Sequence, residues 1–260
     1  MIEQYEAAFV DLDGTVYRGD RLVSGADRGV RALRSAGVDV LFLSNKTIER
    51  RETYVRKLSA LGIDVTRDRV INAGWVTATY VADRYPDATV FVVGEDPLVA
   101  EFEEAGVEVT TDSPGDLLVV SMDRSFTYEK LDRAMRTLAD GGPFLATNPD
   151  RTCPTETGAI PDAAGMIGAV EGVTGRDVDA VLGKPSDRMV ETALETVEAD
   201  PETCLVVGDR LETDILMGER AGMTTVLVLS GVTDRASLAE SDVQPEYVVE
   251  SLGELTDVLS

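Results

Sequence analysis

The chain has 260 residues, with 24 basic against 48 acidic side chains and a net charge of −24, and 43% of it is apolar. That balance describes a folded protein of one large or two modest domains, and it excludes the clustered positive charge needed to bind nucleic acid or an anionic membrane. There is no histidine, which rules out Ser-His-Asp and Cys-His catalysis, and Cys153 and Cys204 form no CxxC pair, which rules out a zinc or redox motif.

Short β-branched runs alternate with amphipathic stretches throughout, the pattern of an α/β protein with mainly parallel sheets. The first run, Ala7 to Asp11, ends in Asp11-Leu12-Asp13-Gly14-Thr15. Residues two apart on an extended chain face one side, so Asp11 and Asp13 address the same place. In α/β sheets ligands gather beyond the carboxyl ends of strands. A solvated acidic turn closing a strand has the same spelling. A helical stretch through Val30 and Leu33 stops at Gly37, and the buried strand Val38 to Leu43 ends in Ser44-Asn45. A hydroxyl and an amide there can donate to phosphate oxygens, or serve as a turn or helix cap.

The middle reads as a second α/β unit. Strands are expected at Thr89 to Val93, Leu117 to Ser121 and Phe144 to Ala146, with helices at Pro97 to Ala105 and Tyr128 to Ala139. From Asn148 to about Pro161 the chain is rich in Pro, Thr and Gly and reads as a long loop, a kind that often carries function. Gly183-Lys184-Pro185 then precedes a helix from Asp187 to Val197 and places one of only four lysines beside the backbone. An exposed turn lysine has the same appearance. The strand Cys204 to Val207 runs into Gly208-Asp209-Arg210-Leu211-Glu212-Thr213-Asp214, ahead of a helix expected from Thr213 to Gly222 and a strand from Thr225 to Leu229. Two carboxylates on either side of such a turn suit a hard divalent cation, while Thr213 or Asp214 can equally cap the helix.

In their order, each after an apolar strand, the acid pair, Ser-Asn, lysine and second acid pair resemble the four signature motifs of the haloacid-dehalogenase superfamily. About 140 residues separate Asn45 from Lys184, where the large-cap branch of that superfamily inserts its cap. The stretches Asp-Leu-Asp-Gly-Thr-Val-Tyr, Leu-Ser-Asn-Lys-Thr and Gly-Asp-Arg-Leu-Glu-Thr-Asp-Ile are similar to the NagD and p-nitrophenyl-phosphatase branch, as is Thr147-Asn148-Pro149-Asp150 with the later Pro161 and Gly165. The resemblance spans nearly the whole chain and implies a Rossmann-like parallel-sheet core, residues 1–74 and 178–260, with an inserted α/β cap at 75–177. No change of composition marks those boundaries.

The resemblance further implies Mg²⁺-dependent hydrolysis of small phosphomonoesters, of the sugar, polyol or nucleoside monophosphate class, through an aspartyl phosphate. Asp11 is the implied nucleophile and Asp13 the acid and base that also meets the phosphate. Ser44, Asn45 and Lys184 would bind the non-bridging oxygens. The carboxylates of Asp11 and Asp209 and the backbone carbonyl of Asp13 would hold the metal, with Asp214 orienting its waters. Thr147 to Gly165 is the expected selector of the leaving group, with Asn148, Asp150 and Arg151 foremost, although these residues can also simply turn the chain. Trp75, the single tryptophan, falls near the expected core-to-cap junction as a packing anchor. A phosphotransferase and a catalytically silent phosphate-binding module on the same fold are the alternatives. A dinucleotide-binding protein is disfavoured because no GxGxxG follows the first strand.

The acids are dispersed rather than massed in a tail, and a lysine-poor acidic surface resembles that of proteins working in molar salt, where a Debye length of ~3 Å removes self-repulsion. With no secretory leader pattern and no apolar run longer than a strand, a cytoplasmic protein is expected. The expected partner is a small phosphorylated metabolite, with no nucleic acid and no membrane, and a homodimer is the expected assembly.

Overall fold

The computed structural model describes residues 2–155 and 158–259. In chain order the first elements are β1 (Ala7–Asp11), the ribbon β2 (Tyr17–Arg18) and β3 (Arg21–Leu22), α1 (Ala26–Ser35), β4 (Asp39–Ser44), α2 (Arg51–Ala60) and β5 (Val70–Asn72). Then come α3 (Ala73–Arg84), β6 (Thr89–Val93), α4 (Asp96–Glu104), β7 (Glu108–Thr110), β8 (Leu117–Val120), α5 (Tyr128–Thr137), β9 (Phe144–Ala146), β10 (Thr152–Thr155), β11 (Gly158–Pro161), α6 (Ala163–Thr174) and β12 (Ala180–Val181). The chain closes with α7 (Asp187–Val197), β13 (Cys204–Gly208), α8 (Leu216–Ala221), β14 (Thr224–Val228), α9 (Arg235–Glu240), β15 (Tyr247–Val249) and α10 (Leu255–Val258).

Two compact units result. The first comprises Met1–Ser44, Arg51–Ile71 and Lys184–Ser260, the second Asn45–Arg50 and Asn72–Gly183. The first is built on a six-stranded sheet of order β15-β14-β13-β1-β4-β5, in which β15, β14, β13, β1 and β4 run parallel. All five residues of β1 are buried, as a strand covered on both faces requires. Helix α1 shows why these stretches are helical: Ala26, Val30 and Leu33 recur at the spacing that lines one face, and all three are buried.

The second unit carries its own parallel sheet, β12-β9-β8-β6-β7. Helix α3 opens on Asn72, whose side-chain oxygen accepts from the Trp75 amide at 2.8 Å, a normal N-cap. Trp75 itself is half-buried.

The segment read as a long loop contains an antiparallel ribbon: β10 and β11 pair with Thr152 opposite Pro161 and Thr155 opposite Gly158. A two-stranded ribbon has two free edges, so the missing N–H of a proline need not break the ladder, and this removes the sequence objection to strands here. Residues 156 and 157 of the expected selector segment lie outside the described residues. No helix among the described residues is long and apolar enough to cross a membrane, the longest having 12 residues.

Candidate active site

Strands β13, β1 and β4 are neighbours, and the chemistry lies at their carboxyl ends. Asp11 is the last residue of β1, Ser44 the last of β4, and Asp209 follows the last of β13. Lys184 reaches the same place from ahead of α7: its Nζ donates at 2.6 Å to Asp11 Oδ1 and at 2.6 Å to Asp214 Oδ1. Asp11, Lys184, Asp209 and Asp214 are all buried.

Local backbone chemistry explains how two acids five residues apart converge. After β13 the chain makes a π-helical turn, Leu211–Ile215, rather than starting an α-helix at Thr213. Such turns occur often at functional sites. Asp214 therefore folds back instead of capping, and its Oδ2 accepts from the Arg210 amide at 3.1 Å. Gly208 leaves it room, since a Cβ there would stand 2.3 Å from the Asp214 side chain. Gly14, with φ of +96°, turns the chain after Asp13, and Asp13 Oδ2 accepts from the Tyr17 hydroxyl at 3.5 Å.

The electrostatics are unbalanced. Three carboxylates, each offering one oxygen within 4.8 Å of the others, share one lysine. Burial pushes the Asp11 carboxyl well above the usual range, and Lys184 only partly offsets it. Burial, reinforced by Asp214, pushes Asp209 up to about 7. Burial works against the charge of Lys184, yet Asp11 and Asp214 raise its pKa above that of a free lysine. Asp11 Oδ2 and Asp209 Oδ1 are buried without a hydrogen-bond partner, whereas both oxygens of Asp214 are engaged. Bare carboxylate oxygens in a cluster of three acids and one lysine fit a hard divalent cation.

A second set of expected residues meets in the other unit. Asn45 Nδ2 donates to Asp150 Oδ2 at 3.1 Å, Asn148 Nδ2 donates to the Asn45 carbonyl at 3.0 Å, and Asn148 Oδ1 accepts from the Asp150 amide at 3.0 Å. Asn148 is buried with both ends of its carboxamide bonded, Asp150 is half-buried and Arg151 is exposed. The network continues through hydroxyls: Thr47 and Ser121, assigned no role from sequence, share a hydrogen bond of 2.6 Å, and Thr147, the first residue of the expected selector segment, donates to Ser121 at 2.7 Å. Nothing local marks Thr47 or Ser121, because their partners lie 74 and 26 residues away.

Residues 8–108 match a family model described as haloacid dehalogenase-like hydrolase, and residues 181–255 one described as HAD-hydrolase-like. The sugar-phosphatase AraL of Bacillus subtilis is 36% identical over 248 residues, covering 95% of this chain and 90% of that protein. The 5'-nucleotidase YutF of the same organism is 33% identical, covering 97% of this chain and 98% of that protein. Among solved structures, the 4-nitrophenylphosphatase of Thermotoga maritima is 34% identical with a TM-score of 0.93, covering 100% of this chain and 99% of that one.

Proposed function

The chain belongs to the haloacid dehalogenase-like hydrolases, and on that premise we propose that it hydrolyses small phosphomonoesters through an aspartyl phosphate on Asp11. The observation that carries the proposal is the state of that side chain. It is a buried carboxylate with one oxygen tied to Lys184 and the other bare, beside a second bare oxygen on Asp209. A carboxylate so placed is a nucleophile held ready rather than a structural ion pair.

Two displacements at phosphorus make up the reaction. In the first, an Asp11 oxygen bonds to phosphorus as the bond to the leaving oxygen breaks, and Asp13 gives that oxygen its proton. In the second, Asp13 takes a proton from water, which attacks the aspartyl phosphate, releases inorganic phosphate and restores Asp11. Lys184, Ser44 and, next in the chain, Asn45 donate to the non-bridging oxygens, where charge gathers in the transition state. Mg²⁺, held by the carboxylates of Asp11 and Asp209 and the backbone carbonyl of Asp13, would neutralise the charge that otherwise keeps an anionic nucleophile from an anionic phosphate. Asp214 orients Lys184 through its Oδ1 and would also orient the waters of a bound ion.

The inserted α/β segment, residues 75–177, is read as the cap that selects the leaving group. The names of the relatives, a sugar phosphatase and a 5'-nucleotidase, support a leaving group of sugar, polyol or nucleoside size.

The test is p-nitrophenyl phosphate hydrolysis in high KCl, with and without Mg²⁺, for the wild type and Asp11→Asn. Metal-dependent release, lowered at least ~10³-fold by the substitution, is the expected result. Turnover that survives in Asp11→Asn would remove the aspartyl phosphate. Sugar phosphates and nucleoside monophosphates then rank the leaving groups.

A further inference from the structure

The stretch Ser230-Gly231-Val232-Thr233, just after β14, belongs to none of the four motifs, yet it grips the site at several points. The Val232 amide donates to Asp209 Oδ2 at 2.6 Å, and the Thr233 amide donates to the Asp209 carbonyl at 3.1 Å. The Ser230 hydroxyl donates to the Gly14 carbonyl at 2.7 Å, and Arg18 Nη2 donates to the Gly231 carbonyl at 2.7 Å. The loop after β14 is thereby stapled to the turn after β1 on one side and to Asp209 on the other.

Space at this point is as tight as the bonding. A Cβ on Gly231 would lie 1.8 Å from Asp209 Oδ2 and 2.2 Å from its Cβ, and one on Gly14 would lie 2.3 Å from the same Oδ2. Gly231 is not among the glycines with positive φ, so it is needed for room and not for backbone conformation. The Asp209 carboxylate therefore sits in a slot walled by two glycine α-carbons. Its Oδ2 is committed to the Val232 amide, and its Oδ1 is the bare one.

We propose that the Ser230–Thr233 loop is a positioning element for the divalent cation, fixing Asp209 so that Oδ1 and not Oδ2 is the oxygen presented to the ion. The inference rests on reading this cluster as a cation site. Groups that orient a metal-binding carboxylate without touching the ion typically change metal affinity by about 10- to 100-fold when altered. Gly231 acts through Asp209 and is a positioning residue.

Mg²⁺ titration of the full chain by calorimetry tests this, paired with the Tm of the metal-free protein and its rise on adding Mg²⁺. Gly231→Ala is expected to weaken Mg²⁺ binding by about 10-fold or more and to flatten the Mg²⁺-dependent rise in Tm. Ser230→Ala and Arg18→Ala, which each remove one staple without adding atoms to the slot, are expected to give a smaller weakening in the same direction. They decide the matter if Gly231→Ala does not fold. A loop that only packs would lower the metal-free Tm and leave Mg²⁺ affinity unchanged in all three variants, and that result would overturn the proposal. Wild type that binds no Mg²⁺ would overturn the cation site and this inference together. Wild type that binds, with variants that bind equally well, would overturn the inference alone.

Discussion

Each of the two parallel sheets ends, at its carboxyl edge, in a buried polar cluster, and the two clusters are built on opposite terms. Beyond β1 and β13 three carboxylates share one lysine, and two of their oxygens have no hydrogen bond. Beyond β8 and β9 the groups are mostly neutral: Ser121, Thr147, Thr47 and the Asn45–Asn148–Asp150 set donate and accept among themselves. The neutral network fixes the chain, since a buried polar group is cheap only when paired. The charged cluster does the reverse. It leaves Asp11 Oδ2 and Asp209 Oδ1 without a hydrogen bond, a cost that a cation, a substrate or a proton offsets. The bare oxygens of Asp11 and Asp209 thus mark where a cation fits.

The contrast can be broken most severely at Lys184. Lys184→Ala would leave Asp11 and Asp214 facing each other without a counter-charge, and breaking a buried pair from one side costs about 3–5 kcal/mol. Chemical denaturation without metal should show a loss of that order, with Mg²⁺ restoring part of it. An unchanged midpoint would mean that the carboxylates had already neutralised themselves by protonation.

A smaller effect is expected from Ser121→Ala. It removes the hydroxyl on which Thr47 and Thr147 converge, and leaving such groups unpaired costs about 1–3 kcal/mol. Calorimetric Mg²⁺ affinity should stay at the wild-type value. A parallel drop in Mg²⁺ affinity would show that the neutral network is more than scaffold.

A third test sharpens the comparison through pH. Asp209 is held at about 7 by burial, above the ordinary carboxylate value, so in the metal-free protein it keeps a proton that the unfolded chain has already lost. The folded state binds more protons between about pH 4 and 7, and metal-free stability should therefore fall as pH rises through that window. Mg²⁺ competes with the same proton, so the Mg²⁺-induced rise in Tm should be larger at pH 8 than at pH 5.5. A metal-free Tm that climbs from pH 5 to 7 would contradict the burial argument for Asp209.

The family, the α/β class and the order of the motifs were readable because each motif is local. An apolar strand runs into a polar turn, and side-chain period together with strand polarity put Asp11, Ser44 and Asp209 at one edge of one sheet. Lys184 was readable by its rarity and its place between glycine and proline. Less legible was the segment after Asn148. Its composition spells a loop, but Thr152–Thr155 and Gly158–Pro161 pair as a ribbon. The partners are only three to nine residues apart, and it is Pro154 and Pro161 that hid the strands, because a proline lacks the N–H that a ladder uses.

What the sequence by itself determined is the set of groups available and the strand ends that carry them: acids, one lysine, hydroxyls and amides, with no imidazole. What only the tertiary structure decided is which oxygens are spent and which are left bare. Asp214 is spent on Lys184 and on the Arg210 amide through a π-helical turn, and Asp209 Oδ2 on the Val232 amide 23 residues later. The neutral network likewise joins Asn45 to Asp150 across 105 residues. Hydrogen-bond partners are chosen by distances in space, and a linear pattern carries residue types but not those distances.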